Sequence, residues 1–447
     1  MEELGTSLPL WSCIPFAGML LSIAIVPLIK GEWWEKNKKW AVIFWSALFI
    51  IPFAIKYGFM VAGEAVSEVI VGDYLTFIVL LFGLFCVAGN ISLDGDLAGS
   101  PKVNVVMLLI GTLLSSWIGT TGASMLMIRP IIRANKWRSR KAQIIVFFIF
   151  LVSNIGGCLT PVGDPPLLMG FTYEIGFFWS LRLLPLMLLN TLILLIVFYA
   201  IDRRAYRKDL AAGLRPEVKE THEPLRITGL HNIIFIILIV VAVILSGTLP
   251  KVNPVFGKGI TILGTTFSIA SMIEVALILI SALLAFKTTK KEVRQKNHFT
   301  WDAIQEVAVL FIGIFITMIP ALMILKARGG DLGLTEPWQY FWITGCLSSF
   351  LDNTPTYLVF FTTAASMGYT AGITTALGVI PKVTLMAISV GAVFMGANTY
   401  IGNAPNFMVR SIAEENGIKM PSFFGYILWS LCILVPVFII DMLVFFI

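Results

Sequence analysis

Ser153-Asn-Ile-Gly-Gly-Cys-Leu-Thr-Pro-Val-Gly-Asp-Pro-Pro166 lies in the middle of an apolar segment long enough to cross a bilayer. Its glycines and prolines, with an amide, two hydroxyls and a carboxylate among them, cannot continue a regular helix. In lipid, irregular backbone survives only where protein or a water-filled cavity satisfies its polar groups. A helix broken at membrane depth is one way to build an ion or substrate site. A related pattern recurs near the C-terminus, in Gly396-Ala-Asn-Thr-Tyr-Ile-Gly-Asn-Ala-Pro405.

Around these stretches the chain is 57% hydrophobic and 13% charged, against about 25% charged in a soluble domain. That composition implies an all-α polytopic membrane protein. The five cysteines, Cys13, Cys86, Cys158, Cys346 and Cys432, fall in apolar segments without paired spacing and are expected to be small buried side chains. Met1 to Pro9 is acidic rather than basic, so no cleavable signal peptide is expected. No nucleophile–base set, metal-ligand set or phosphate-binding glycine loop appears, which argues against an enzyme and against ATP-driven transport. No cofactor and no nucleic-acid partner are expected. His222, His231 and His298 fall in or beside loops and are poor ligand candidates.

Hydropathy places spans at about 10–29, 40–58, 74–92, 143–172, 179–201, 231–250, 259–286, 302–325, 383–410 and 423–446. Two further apolar stretches, 103–131 and 337–365, are interrupted by Ser115-Ser-Trp-Ile-Gly-Thr-Thr121 and Ser348-Ser-Phe-Leu-Asp-Asn-Thr354. A polar tip between two half-length apolar arms reads as a re-entrant hairpin; the competing reading is a full span with a polar kink. The positive-inside rule decides between them. With two hairpins, most of the 32 basic residues fall on the cytoplasmic side, including Arg129, Arg133, Arg138 and Arg140. The other side keeps Lys56, Arg182, Lys251, Lys258, Lys326, Arg328 and Lys382, beside the acids Glu64, Glu68 and Asp73. Both termini are then extracytoplasmic, in a cell (inner) membrane. Reading either hairpin as a span inverts everything after it and spoils this asymmetry.

The halves of the chain also match. One constant offset places Ser115, Ser116 and Thr121 on Ser348, Ser349 and Thr354. A slightly larger one places Gly157, Thr160, Gly163, Pro166 and Met169 on Gly396, Thr399, Gly402, Pro405 and Met408. Each half holds five spans plus one hairpin, an odd number of crossings, so the two repeats, 1–201 and 229–447, are inverted. The polar stretch 202–228 reads as a solvated cytoplasmic linker.

Pseudo-two-fold symmetry would bring two hairpin tips and two broken helices together at mid-membrane. A hard cation such as Na⁺ wants oxygen ligands. Ser116, Thr120, Thr121, Asn154, Thr160, Asn353, Thr354, Asn398, Thr399 and Asn403 supply side-chain oxygens, and Na⁺ itself is expected at Asn154, Asp352, Asn353 and Asn398. Half-helix N-termini at the same place would favour an anion. Asp164 and Asp352 are the carboxylates at membrane depth, a functional-site hypothesis by default. For both the alternative is a helix cap, before Pro165-Pro166 and before Asn353-Thr-Pro355. A carboxylate that trades H⁺ for Na⁺ makes the two ions compete for one site, which is antiport. Glu274 reads as a second proton relay or a structural pairing, Glu306 as the cytoplasmic start of its span, Asp441 as a snorkelling helix end, and Arg129 as an interfacial cation or an anion contact.

At these residues the sequence resembles the ion transporter superfamily, which includes divalent anion:Na⁺ symporters, citrate and arsenite permeases and NhaD-type Na⁺/H⁺ antiporters. Where the symporters carry Ser-Asn-Thr at both tips, this chain has Gly119-Thr-Thr121 and Asp352-Asn-Thr354. Asn154-Ile-Gly-Gly-Cys-Leu-Thr-Pro-Val-Gly-Asp-Pro-Pro166 and Leu351-Asp-Asn-Thr-Pro355 look most like the NhaD-type antiporters. The resemblance implies an elevator-type secondary transporter, a homodimer whose outer helices, roughly 10–58 and 231–286 and with them 74–92, form a scaffold. It implies exchange of Na⁺, and of Li⁺, for H⁺; the alternative is Na⁺- or H⁺-coupled transport of a carboxylate such as citrate, or of arsenite or another oxyanion.

Overall fold

The computed structural model of the chain describes residues 2–95, 97–216, 226–297 and 299–447. His222, His298 and part of the 202–228 stretch lie outside the described residues. Among the described residues, ten helices are long and apolar enough to cross a membrane. They include Pro101–Ile118, expected to be a hairpin arm, and not the expected span 383–410, whose apolar helix, Lys382–Asn398, is shorter. The chain is almost wholly helical. Three short two-stranded ribbons are the exception.

The first two crossings form one helical hairpin, Ile14–Tyr57, folded back at Lys30, where the backbone leaves helical geometry. Trp45 covers Gly18 and donates its indole N–H to Ser22 Oγ at 3.0 Å. Gly58, at φ +99°, separates this pair from the next helix. That helix runs from Phe59 to Ala88, well before the expected start at 74. Glu64, Glu68 and Asp73, placed in an external loop by the charge count, therefore lie on it. A π-helical turn, Glu68–Tyr74, carries the helix through them. Asp73 is buried and accepts a hydrogen bond from the Tyr173 hydroxyl at 3.2 Å.

A second correction concerns the span expected at 259–286. Residues Gly259–Ile262 and Thr265–Ser268 form a β-hairpin, and the helix begins only at Ile269. β-branched residues fill Ile260–Ile262 and Thr265–Thr266, and Leu263 and Gly264 both adopt positive φ, the geometry of a two-residue hairpin turn. The averaged hydropathy of this segment concealed its strand period.

Two interrupted hairpins enter from opposite ends of the molecule. The first is Pro101–Ile118 and Thr120–Ala134, joined at Gly119, whose φ of +79° suits glycine. Its base closes where Gly99 N–H donates to Ala134 O, at the end rich in basic residues. That end also holds the Lys38–Glu306 ion pair at 3.1 Å and the pairing of Ser92–Asp94 with Arg226–Thr228. The second hairpin, Pro337–Ser348 and Asn353–Ala365, has its base at the other end, beside Gly329. Both chain termini lie at that other end. Gly5 packs on Met323 and Ala327, and the Phe446 ring stands 4.9 Å from Phe341.

Several polar residues read as solvated are buried. Arg138 is fully enclosed, with Nη1 2.8 Å from Asp202 and Nε 3.3 Å from Asp209, both equally buried. The helix Leu184–Ala211 extends beyond 201 and roofs this cluster. Asp441 does not snorkel: it is buried and accepts both its hydrogen bonds, at 2.8 Å, from the Asn190 amide. Glu274 is buried against Ser246 on the neighbouring helix. Cys86 and Cys158 are buried as expected, whereas Cys346 and Cys432 are exposed.

Candidate functional site

Each hairpin tip is sewn to a break in one helix. In the first broken helix, Ala142–Leu151 ends, an irregular stretch follows, and Pro165–Thr172 resumes the path. Ser115 donates to Val152 O at 2.7 Å, Ser116 donates to Gly156 O, and Thr160 donates to Ser116 O. Thr120 N–H donates to Gly163 O at 2.9 Å. These bonds satisfy carbonyls that the interrupted helix cannot use, which is the condition for a break in a nonpolar interior.

The second broken helix, Lys382–Met395 and Ala404–Glu415, is held the same way. Ser348 donates to Ala392 O at 2.6 Å, Ser349 donates to Met395 O at 3.1 Å, and Thr399 donates to Ser349 O. The hydroxyls making these bonds stand at the offsets that relate the two halves of the sequence. Gly163 and Gly402 correspond as well. A Cβ on Gly163 would collide with the Gly157 carbonyl and stand 2.9 Å from Ser116 Cα; on Gly402 it would collide with the Gly396 carbonyl. Gly163→Ala is therefore expected to destabilise the protein by about 1–3 kcal/mol, as overpacking does. Gly176→Ala, with no atom near its would-be Cβ, should leave the thermal unfolding midpoint in detergent unchanged. Equal midpoints for the two variants would refute the clash.

Asp164 is where the four polar segments converge. It precedes Pro165 at the start of a half-helix, yet its side chain makes no cap hydrogen bond. Instead Oδ1 accepts from the Thr120 hydroxyl and Oδ2 from the Asn353 amide, each at 3.0 Å, one donor from each hairpin tip. The carboxylate is 1% exposed. Asn353 Oδ1 in turn lies 2.7 Å from the Ser348 hydroxyl, which shares its one proton between this oxygen and Ala392 O. Asp352 behaves differently. It caps the second arm by accepting from Thr354 N–H at 3.2 Å and is only half-buried.

The two breaks also touch directly. The Asn154 amide donates to Ile149 O at 2.8 Å and to Asn406 Oδ1 at 2.7 Å. Asn403, the residue that matches Asp164 in the second half, donates to Ser153 O at 3.1 Å and to Asn154 Oδ1 at 3.2 Å. Asn406 completes the loop by donating to Gly396 O and Thr399 O, both at 2.9 Å. Sequence reasoning passed over Asn406. An amide three positions after the end of the break, in Asn403-Ala-Pro-Asn406, was the available signal.

Of the expected oxygen donors, Ser116, Thr160 and Thr399 use their hydroxyls to fasten tips to breaks. Thr120 and Asn353 are bound to Asp164, and Asn154 and Asn403 to each other. Thr121 is half-buried and makes no hydrogen bond in this network. Asn398 donates to Ser349 Oγ at 2.9 Å, leaving Oδ1 buried without a partner, and Thr354 Oγ1 is likewise unpartnered. Those two oxygens are the site's unsatisfied acceptors. The partners throughout are hydroxyls, amides and main-chain groups. No basic side chain enters the network among the described residues. Arg129, on the exit arm of the first hairpin, is half-buried and carries a buried Nη1 without a hydrogen-bond partner.

The chain matches a known protein family. The model of the family described as "Putative citrate transport" covers residues 5–446. No curated protein matches the chain.

Proposed function

Since the chain belongs to this citrate-transport family, as an integral membrane protein and secondary transporter of the citrate-permease type, we propose that its coupling site is the Asp164 junction and that it exchanges Na⁺ for H⁺. The observation that carries this reading is the bonding of Asp164: a buried carboxylate held by one neutral donor from each hairpin tip. A cation there has a charge partner in Asp164, and the second break and second tip each keep an unsatisfied oxygen, Asn398 Oδ1 and Thr354 Oγ1. A proton on the carboxylate would take the cation's place, so binding of one ion expels the other. Asp352 stands as a second carboxylate at the adjoining tip. Li⁺, with the same oxygen preference, would be accepted. The matching hydrogen bonds of the two halves support inverted repeats, and the opposed hairpin bases and the termini at the less basic end support the expected topology. An elevator motion of hairpins and broken helices against outer helices 10–58 and 231–286, in a homodimer, completes the proposal.

A second reading, uptake of citrate or another carboxylate coupled to Na⁺ or H⁺, is favoured by the family's description and by the buried Arg129 Nη1 that makes no hydrogen bond. Reconstitution in liposomes carrying a pH-sensitive dye separates the two. Exchange predicts proton efflux on adding Na⁺ or Li⁺ alone. Citrate uptake without any Na⁺-driven proton movement would sink the exchange reading and leave the second.

A further inference from the structure

At the basic end a cavity of about 500 Å³ opens between the start of the first broken helix, the helix Leu184–Ala211 and the loop at Gly417–Lys419. This is the size of small-ligand sites generally. Five basic side chains line it, Arg140, Lys141, Arg204, Lys208 and Lys419, and no acidic one does. Arg140 is tied to Asp209 at 3.0 Å. Arg204, Lys208 and Lys419 have no ion-pair partner among the described residues.

The helix Ala142–Leu151 points its N-terminus into the same cavity, and its N-cap, Lys141, provides no side-chain cap. Uncapped N–H groups and the positive end of the helix dipole favour an anion. Partial burial, offset by Asp209 and reinforced by Arg138 and Lys136, lowers the Lys141 amine below its ordinary value. The five basic side chains and the absence of an acidic one in the lining make a field that a bound anion would relieve. The cavity also joins parts that belong to different halves of the chain: the first turn of one broken helix and the loop that follows the other, Ala404–Glu415.

We propose that this cavity binds a phosphate-bearing anion, the headgroup of an anionic phospholipid or a soluble phosphate compound, and that the bound anion clamps the basic ends of both broken helices to the helix Leu184–Ala211. Basic pockets between spanning helices are suited to phosphate headgroups. The proposal does not depend on which ions or carboxylates the protein transports, and its test reads binding alone.

The full-length protein in detergent is unfolded thermally with added phosphatidylglycerol, with phosphatidylcholine, or with inorganic pyrophosphate. The variant R204Q/K208Q/K419Q is compared with K36Q/K39Q/K290Q, which removes three exposed basic residues elsewhere at the basic end. Phosphatidylglycerol or pyrophosphate should raise the unfolding midpoint of the wild type and of the control. The cavity variant should need roughly a hundredfold more ligand, as expected for three lost charges near a surface. Stabilisation by phosphatidylglycerol alone identifies a lipid headgroup; stabilisation by pyrophosphate as well identifies a site open to soluble anions. Should the triple variant not fold, Lys419→Gln alone, at an exposed loop position, reads the same shift at about fivefold. The proposal is overturned if neither anion stabilises the wild type, if phosphatidylcholine does so equally, or if cavity and control variants respond alike.

Discussion

Asp164→Asn is expected to reduce Na⁺-driven proton movement in proteoliposomes to the level of empty vesicles. The replacement keeps the volume and one carbonyl oxygen, so Thr120 or Asn353 retains its acceptor. The other donor then faces an amide N–H₂, and the negative charge is gone. A unit charge about 4 Å away at an effective dielectric of about 20 contributes roughly 4 kcal/mol, which is on the order of a thousandfold in cation affinity. Two measurements separate this from misfolding: a monodisperse elution profile, and absence of the stabilisation by Na⁺ that the proposed site predicts for the wild type during thermal unfolding. Asp352→Asn is the informative companion. Asparagine caps a helix as well as aspartate, so folding should be unaffected, and its transport defect should be the smaller of the two. Normal exchange by Asp164→Asn would remove this residue from the coupling role.

The largest effect on stability is expected at Arg138. Replacing it by Met leaves Asp202 and Asp209 enclosed without their guanidinium, and breaking such a buried set costs about 3–5 kcal/mol. Asp202 would still accept from Asn104 at 3.0 Å and from Gln143 at 2.8 Å, and Asp209 from Ser139 at 2.9 Å and from Arg140. Those bonds moderate the loss, and Arg140 still pairs with Asp209 at 3.0 Å, but the Asp202 charge is left enclosed without a cation. Thermal unfolding in detergent measures it, and adding Asp202→Asn to Arg138→Met should recover much of it, because the enclosed charge left without a cation is then removed. A midpoint unchanged in the single variant would mean that water reaches the cluster.

How far the sequence foretold this arrangement varies from residue to residue. Asp164 and Asn353 stood out because a carboxylate and an amide in an apolar run have few structural uses. The matched serines and glycines stood out because helix-breaking residues recurred in one order in both halves. Asn406 did not, since a single amide beyond a proline looks like any helix start. Asp441, and Asp202 and Asp209 of the 202–228 stretch, were misjudged for a common reason. A charged residue near the end of an apolar run reads as facing water, and nothing local reports that Asn190 lies over Asp441 or that Arg138 lies between Asp202 and Asp209. The ribbon at Gly259–Ser268 was lost because apolar content was averaged over a window longer than a strand.

Apolar runs, helix breakers and the placement of basic residues therefore carried the membrane class, the existence of two breaks and two hairpins, and the candidacy of Asp164, because each is set by the solubility of backbone and charge in hydrocarbon. Whether Asp164 caps its own half-helix or receives donors from both hairpin tips was open in the chain of letters. Only the folded structure decided it, by bringing Thr120 and Asn353, far apart in sequence, to 3.0 Å on either side of one carboxylate. The physical reason is that a cap is a local choice between neighbouring groups, whereas this pair of bonds exists only once two distant hairpins have packed around the break.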